Sequence, residues 1–77
     1  MIGDLRKYVV GTPELWVAAA IDEIERHGGA VLDSSEVAEQ LQFTVLSIQL
    51  PEDAFPKFEQ WLTEATDGRG TVEEASD

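Results

Sequence analysis

Residues 33–53, DSSEVAEQLQFTVLSIQLPED, decide the fold because the two halves of this stretch indicate different structures. The first half is typical of a capped helix, with Ser35 as the N-cap and Val37, Ala38 and Leu41 at helical spacing. The second half, FTVLSIQL, is typical of a strand because its apolar and β-branched residues fit a two-residue repeat. A helical interpretation predicts a helix-turn-helix or winged-helix DNA reader, and a strand interpretation predicts an α+β domain.

Three features of this region favour the strand. The turn position of a helix-turn-helix is usually a glycine, and here it is Gln42. The recognition helix would be TVLSIQL, which is rich in β-branched residues and is followed by Pro51, a residue that disfavours helix before it. No Lys or Arg occurs between Arg26 and Lys57, so a reading head would carry no cation for phosphate or guanine. A short helical turn at 35–40, between two strands, stays open.

The residues before this stretch predict a strand, a helix and a second strand. LRKYVV, residues 5–10, is rich in aromatic and β-branched residues and predicts the first strand. A helix follows, with Thr12 as its N-cap and Pro13 at its first position, and it ends at Gly28 and Gly29, one of them left-handed. Its buried stripe comprises Val17, Ala20, Ile21 and Ile24. GAVLD then predicts the second strand.

The residues from 42 onward predict a third strand, a second helix and a last strand. QFTVLSIQL is the third strand, and one of its faces comprises Thr44, Leu46, Ile48 and Leu50. Pro56 lacks an N–H and must fall in the first turn of the second helix, as its third residue if Asp53 is the N-cap. The buried stripe of this helix comprises Phe55, Phe58, Trp61, Leu62 and Ala65. Gly68 ends the helix, and RGTVEEA predicts the last strand.

The order of these elements, β-α-β-β-α-β, predicts one small acidic domain over residues 1–77, with a frayed tail at 75–77. Two helices on one face of a four-stranded antiparallel sheet form the ferredoxin-like, split βαβ arrangement. The sequence therefore predicts an α+β, ferredoxin-like fold, with a helix-turn-helix or winged helix as the alternative.

The charge limits the classes of partner. Sixteen Asp and Glu residues against five Lys and Arg give a net charge of −11 over 77 residues. Such a surface repels the phosphates of nucleic acids and of anionic lipids, so neither is an expected direct partner. The same charge keeps a small protein soluble and steers it toward a basic partner. No apolar run reaches membrane-spanning length and no signal-peptide pattern is present, so a cytoplasmic protein is expected.

The chain offers few groups for catalysis. It has no cysteine and one histidine, His27, which falls at the end of the first helix and complements the helix dipole there. One histidine without cysteine falls short of a zinc site, and the carboxylate runs match solvated faces. The sequence shows no catalytic triad and no cofactor motif. Enzyme activity, a bound metal and a cofactor are therefore not expected.

Several segments within residues 8–74, VVGTPEL, IDEIERHGGAVL, FTVLSIQLPEDAF and LTEATDGRGTVEE, carry a family resemblance. They resemble the C-terminal domain of elongation factor G and the related C-terminal domain of the IMPACT family of small proteins. The matching junctions are Thr12-Pro13-Glu14, Gly28-Gly29, Leu50-Pro51, and Thr66 followed by Gly68-Arg69-Gly70. The resemblance implies a βαββαβ fold. Because the elongation-factor domain contacts ribosomal RNA and protein, it also implies a translation-associated accessory domain that contacts the ribosome or a GTPase.

Phe43 and Val45 are candidate partner-binding residues. If Leu46 faces the helices, strand alternation places Phe43 and Val45 on the opposite face of the sheet. Exposed apolar side chains there would mark a surface for a partner or for a homodimer. A bulge that slips the register by one residue would instead place both side chains in the core. The sequence leaves these alternatives open.

Four carboxylates, Asp22, Glu25, Glu36 and Glu39, are the other predicted partner-binding residues. Spaced like nucleic-acid phosphates, they would meet Lys and Arg side chains of a partner. The sequence therefore predicts a non-enzymatic, acidic inhibitor that occupies the basic nucleic-acid-binding surface of a partner complex. Phage-encoded anti-CRISPR proteins and other DNA mimics are similar in size and charge. The alternatives are the translation-associated accessory domain and a helix-turn-helix transcriptional regulator.

Overall fold

The elements follow the predicted order. The computed structural model describes residues 4–38 and 42–75, with side chains for all of them except 36–38. The described residues form β1 (Leu5–Pro13), α1 (Val17–Arg26), β2 (Ala30–Ala38), β3 (Phe43–Pro51), α2 (Phe55–Ala65) and β4 (Thr71–Glu74). A 3₁₀ turn precedes each helix, over Glu14–Trp16 and over Glu52–Ala54.

The stretch 33–53 contributes to two paired strands, so the helix-turn-helix prediction is wrong. Ser34 and Ser35 lie opposite Leu46 and Val45 in the antiparallel ladder between β2 and β3. The helical turn that the sequence left open at 35–40 does not occur at 35–38, which are strand, and residues 39 and 40 lie outside the described residues. Pairing with the alternating side chains of β3 outweighs the helical spacing, because strand pairing and burial override a weak local propensity.

The four strands form one antiparallel sheet in the order β2-β3-β1-β4. Each helix connects two strands that are not neighbours in this sheet. α1 joins β1 to β2 across β3, and α2 joins β3 to β4 across β1. This connectivity is that of the ferredoxin-like fold, so the predicted fold class is confirmed.

Both helices cover the same face of the sheet and enclose the core there. The alternation predicted for β3 is confirmed, because its even-numbered residues from Thr44 to Leu50 are buried. The core comprises Tyr8, Val10, Ala20, Ile24, Leu46, Ile48, Leu50, Ala54, Phe58, Leu62 and Val72. The partly buried hydrophobic residues that pack at the margin of this core are Val17, Ile21, Val31, Phe55 and Trp61. The predicted stripe of α1 is therefore correct, and that of α2 is correct except for Ala65, which is half-buried and does not belong to the core.

The first strand is longer than predicted, and Thr12 is not a helix cap. Thr12 and Pro13 lie opposite Thr44 and Phe43, so β1 stays paired through Pro13. The Thr12 side chain is fully buried, and its hydroxyl donates to the Pro13 carbonyl at 3.2 Å. α1 therefore begins only at Val17, after the 3₁₀ turn. The prediction failed because a cross-strand partner competed successfully with a local capping pattern.

The start of α2 also differs from the prediction. Asp53 lies in the 3₁₀ turn, Ala54 is the N-cap residue, and no side chain caps the helix. Pro56 is then the second helical residue instead of the third. The argument from its missing N–H nevertheless placed it correctly in the first turn.

The structure confirms in part the prediction that glycines end the two helices. Gly28 is left-handed, with φ of 86°, and the Gly28 and Gly29 N–H groups donate to the carbonyls of Glu25 and Ile24. These two bonds define a Schellman end. At the end of α2 the left-handed conformation begins one residue before Gly68, at Asp67 with φ of 56°. Gly68 follows with φ of 82°.

We expect the titration of the chain's single tyrosine, Tyr8, to report the packing of α2 on β1. Its ring stacks on Phe55 with the centroids 4.7 Å apart. Burial raises the pKa of the Tyr8 hydroxyl above its usual value, and the nearby Glu74 carboxylate raises it further. The ultraviolet absorbance of the phenolate should therefore rise at higher pH in the native chain than in the denatured chain.

The raised pKa of Tyr8 makes the free energy of unfolding depend on pH in the alkaline range. Below about pH 10, tyrosine is protonated in both states and contributes no pH dependence. Above it, the unfolded chain ionises first, so stability should fall as the pH rises. Equal titration midpoints in the native and denatured chain would contradict the buried position of Tyr8.

Candidate protein-binding face

The side of the sheet opposite the helices forms a separate surface, which we call the open face. It consists of the odd-numbered residues of β1 and β3 with their neighbours in β2 and β4, because successive side chains of a strand point to opposite faces. One row across it comprises Glu73, Val9, Ser47 and Asp33. The next row comprises Thr71, Gly11, Val45 and Ser35. A third row pairs Pro13 with Phe43.

Phe43 and Val45 lie on this open face, which decides between the two alternatives that the sequence left open. The ladder between β1 and β3 runs without a register shift from Leu5↔Pro51 to Pro13↔Phe43. Both side chains are half-buried, whereas Thr44 and Leu46 between and beside them are buried on the helix side. Bulges do occur, but they lie in β2. Neither Phe43 nor Val45 belongs to the core.

Phe43 lies across its neighbouring strand because that strand has a glycine there. A Cβ atom at Gly11 would approach the Phe43 ring to 2.9 Å, so the ring occupies the space that a side chain would fill. The buried Pro13 and the half-buried Val9 flank it on the same strand. These residues give the open face an apolar centre that is only partly covered.

Polar and charged residues border this apolar centre. Asp33 and Glu73 lie at opposite ends of the row that contains Val9, and both are exposed. Ser35 and Thr71 occupy the corresponding positions of the next row and are exposed too. The open face also carries one lysine, Lys7, in the row on the far side of Val9. An apolar centre with a polar rim is the usual anatomy of a protein-binding surface.

The four carboxylates predicted to bind a partner differ in their exposure and ion pairing, as far as the structure describes them. Asp22 and Glu25 are exposed on α1, but the Asp22 carboxylate forms an ion pair with Arg26 at 3.3 Å. The backbone of Glu36 lies in β2, and its side chain is outside the described part of the chain. Glu39 also lies outside the described residues. Of the four, Glu25 alone is described as an exposed carboxylate without an ion pair to another described residue.

The exposed carboxylates, including Asp22 and Glu25, are spread over the described chain. They occur on both helices, on β2 and β4, and in the connections: Asp4, Glu14, Asp22, Glu25, Asp33, Glu52, Asp53, Glu59, Glu64, Asp67, Glu73 and Glu74. Such a distribution produces a negative field around the molecule without singling out one acidic face. The apolar centre of the open face is therefore the more localised feature.

Sequence reasoning missed three features of this surface. Val9 and Gly11 were not singled out, although the alternation around Tyr8 and Val10 could have placed them on the open face. Asp33 was assigned to the end of a short strand, whereas β2 continues to Ala38. A bulge between Val31 and Asp33 shifts the register there, and no glycine at this position indicates the bulge in the sequence.

His27 lies at the end of α1 as predicted, with its Nε2 atom 3.4 Å from a carboxylate oxygen of Glu23. Over the described ranges, no group of three or more His, Asp or Glu side chains is placed to hold a metal ion. Neither α1 nor α2 has the length and apolar character that a membrane crossing requires.

Comparison with known proteins supports the fold and nothing beyond it. No protein-family model and no curated protein matches the chain. The chain is similar to a solved structure described as "Crystal structure of an hypothetical protein", with a TM-score of 0.81 at 15% sequence identity. The similarity covers 95% of this chain but 34% of that one, so this chain spans about a third of its length. The link to elongation factor G and the IMPACT family stays a prediction.

Proposed function

We propose that this chain is a non-enzymatic protein-binding module whose open face docks on a basic surface of a partner protein. The observation that carries the proposal is the half-buried pair Phe43 and Val45 beside the rim carboxylates Asp33 and Glu73. Partly exposed aromatic and β-branched side chains supply the apolar anchor of such an interface, and the rim supplies orientation.

The overall charge adds to this proposal. A net charge of −11 attracts a basic partner over distances comparable with the Debye length and raises the association rate. Carboxylates outside the contact, including Asp22 and Glu25, contribute to this long-range attraction. They should affect the association rate and its salt dependence more than the lifetime of the complex.

The proposed partner is a protein with a basic surface that binds nucleic acid. In the cytoplasm, extended basic protein surfaces commonly bind nucleic acids, so the chain would act as an inhibitor that competes for such a surface. In this form its carboxylates replace phosphates, in the manner of a DNA mimic or an anti-CRISPR protein. The competing function is a translation-associated accessory domain, in which the partner would be a ribosome or a translational GTPase.

A capture experiment with matched variants tests the proposal. The tagged chain, the open-face variant Phe43→Ser/Val45→Ser and the helix variant Asp22→Asn/Glu25→Gln are each incubated with nuclease-treated lysate and eluted with a salt gradient. We expect the wild-type chain to retain nucleic-acid-binding proteins that moderate salt releases. The open-face variant should retain them at least about tenfold less, because central apolar anchors dominate binding energy.

The helix variant is the control, since it removes two negative charges and leaves the open face intact. It should keep most of the captured protein and release it at lower salt. Adding back the nucleic acid of the captured protein should displace the chain. Equal capture by the wild type and the open-face variant would exclude the open face as the contact. Capture of ribosomes or a GTPase would favour the translation-associated function instead.

A further inference from the structure

A second surface of the molecule contains several of the few basic side chains of this acidic chain. Between the C-terminal end of α1 and the first turn of α2 lies a cleft of about 650 Å³, a volume typical of small-molecule sites. Its lining includes Arg26, His27 and Lys57. The whole chain has five Lys and Arg residues and one histidine, so half of its basic side chains line this one cleft.

Lys57 is the available cation of this cleft. Arg26 is held by two carboxylates, with nitrogen-to-oxygen distances of 3.3 Å to Asp22 and 2.8 Å to Glu23. His27 also contacts Glu23. Within the described ranges, no ion pair engages Lys57, which is exposed in the first turn of α2. An ammonium group at this position can bind an incoming anion without first breaking an internal pair.

The rest of the lining limits the kind of anion. Leu5, Pro51 and Ala54 provide an apolar wall, and the Leu5 side chain is half exposed. Asp53 also lines the cleft, so its carboxylate disfavours a multiply charged ligand such as a phosphate dianion. A single negative charge attached to an apolar body satisfies both features.

We propose that this cleft binds a small organic carboxylate whose carboxylate pairs with Lys57 and whose apolar body packs against Leu5 and Pro51. The site is separate from the apolar centre of the open face, because Leu5 and Pro51 form the pair at one end of the ladder between β1 and β3, and Pro13 and Phe43 form the pair at the other end. A ligand here would contact both the end of α1 and the start of α2, and so bridge the two helices.

The test is a chemical-shift titration of the labelled chain at low ionic strength with three probes. Benzoate carries the charge and the apolar body, benzamide keeps the shape without the charge, and inorganic phosphate has charge without the body. We expect benzoate to produce saturable shifts at His27, Gly28, Ala54 and Lys57. Benzamide and phosphate should bind more weakly.

Two lysine variants provide matched controls, because each removes one positive charge. Lys57→Gln should weaken benzoate binding about tenfold, as expected for the loss of a charge-assisted hydrogen bond. Lys7→Gln, on the open face, should change it by less than about twofold. The proposal is overturned if the shifts do not saturate, if benzamide or phosphate binds as tightly as benzoate, or if both variants weaken binding equally.

Discussion

Replacement of Phe58 by alanine should lower the free energy of unfolding by about 3–5 kcal/mol, the range for truncating a buried phenylalanine. Phe58 is fully buried in α2, and its ring lies 5.9 Å from that of Trp61. The change removes apolar contacts and leaves a cavity under the helix, and both effects destabilise the native state. A domain of this length has a total stability of roughly 4–12 kcal/mol, so much of it should be lost.

Urea unfolding followed by tryptophan fluorescence measures this effect. Leu15→Ala is the control, because the Leu15 side chain is 86% exposed and its truncation removes little buried surface. It should change stability by less than about 0.5 kcal/mol. If Phe58→Ala were no more destabilising than Leu15→Ala, α2 would not pack on the sheet as described.

Gly29→Ala should cost about 3 kcal/mol, near the upper end for overpacking a well-filled region. A Cβ atom at Gly29 would collide with the Gln49 backbone carbonyl oxygen, and it would lie 3.0 Å from side-chain atoms of Ile24 and Leu50. The Gln49 carbonyl belongs to β3, so relief would require the central strand to move. The glycine is needed here because the chain passes close to the sheet between α1 and β2.

Gly68→Ala separates crowding from backbone conformation. Gly68 has a left-handed φ of 82°, yet among the described residues no atom beyond its two chain neighbours lies within 4 Å of a Cβ placed there. Its replacement should cost about 1–2 kcal/mol, the penalty for a left-handed alanine. Thermal or urea unfolding of both variants gives the comparison. If Gly29→Ala were no more destabilising than Gly68→Ala, the close approach of Gly29 to β3 would be contradicted.

The sequence predicts the order of the elements and most of the core, because these depend on periodicity and on strong local signals. Spacing alone assigned Ile24 and Phe58 to the buried stripes of the two helices, and both are fully buried. The glycine pair predicted to end the first helix does so, with Gly28 left-handed. Errors occur where pairing across the sheet competes with local preference. Thr12 has the chemistry of a helix cap, but it extends β1 because Thr44 lies opposite it.

The candidate binding face was predicted only in part. Phe43 and Val45 were identified from alternation, whereas their exposure depended on a register that the sequence could not define. The contribution of Gly11 appears only once β1 and β3 are aligned, because the Phe43 ring occupies the space over a residue on another strand. Some of the predicted carboxylates are engaged in ion pairs, such as Asp22 with Arg26, and the sequence alone did not single out these pairs.

Hydroxyl-radical footprinting of the chain, free and bound to the protein that it captures, tests the central claim most directly. This measurement compares the accessibility of individual side chains, and Phe43 and Trp61 are half-buried aromatic residues on opposite sides of the sheet. We predict that the partner slows oxidation of Phe43 and Val45 and leaves Trp61 unchanged. Protection of Trp61 with unchanged oxidation of Phe43 would place the contact on the helix layer and contradict the proposed function of the open face.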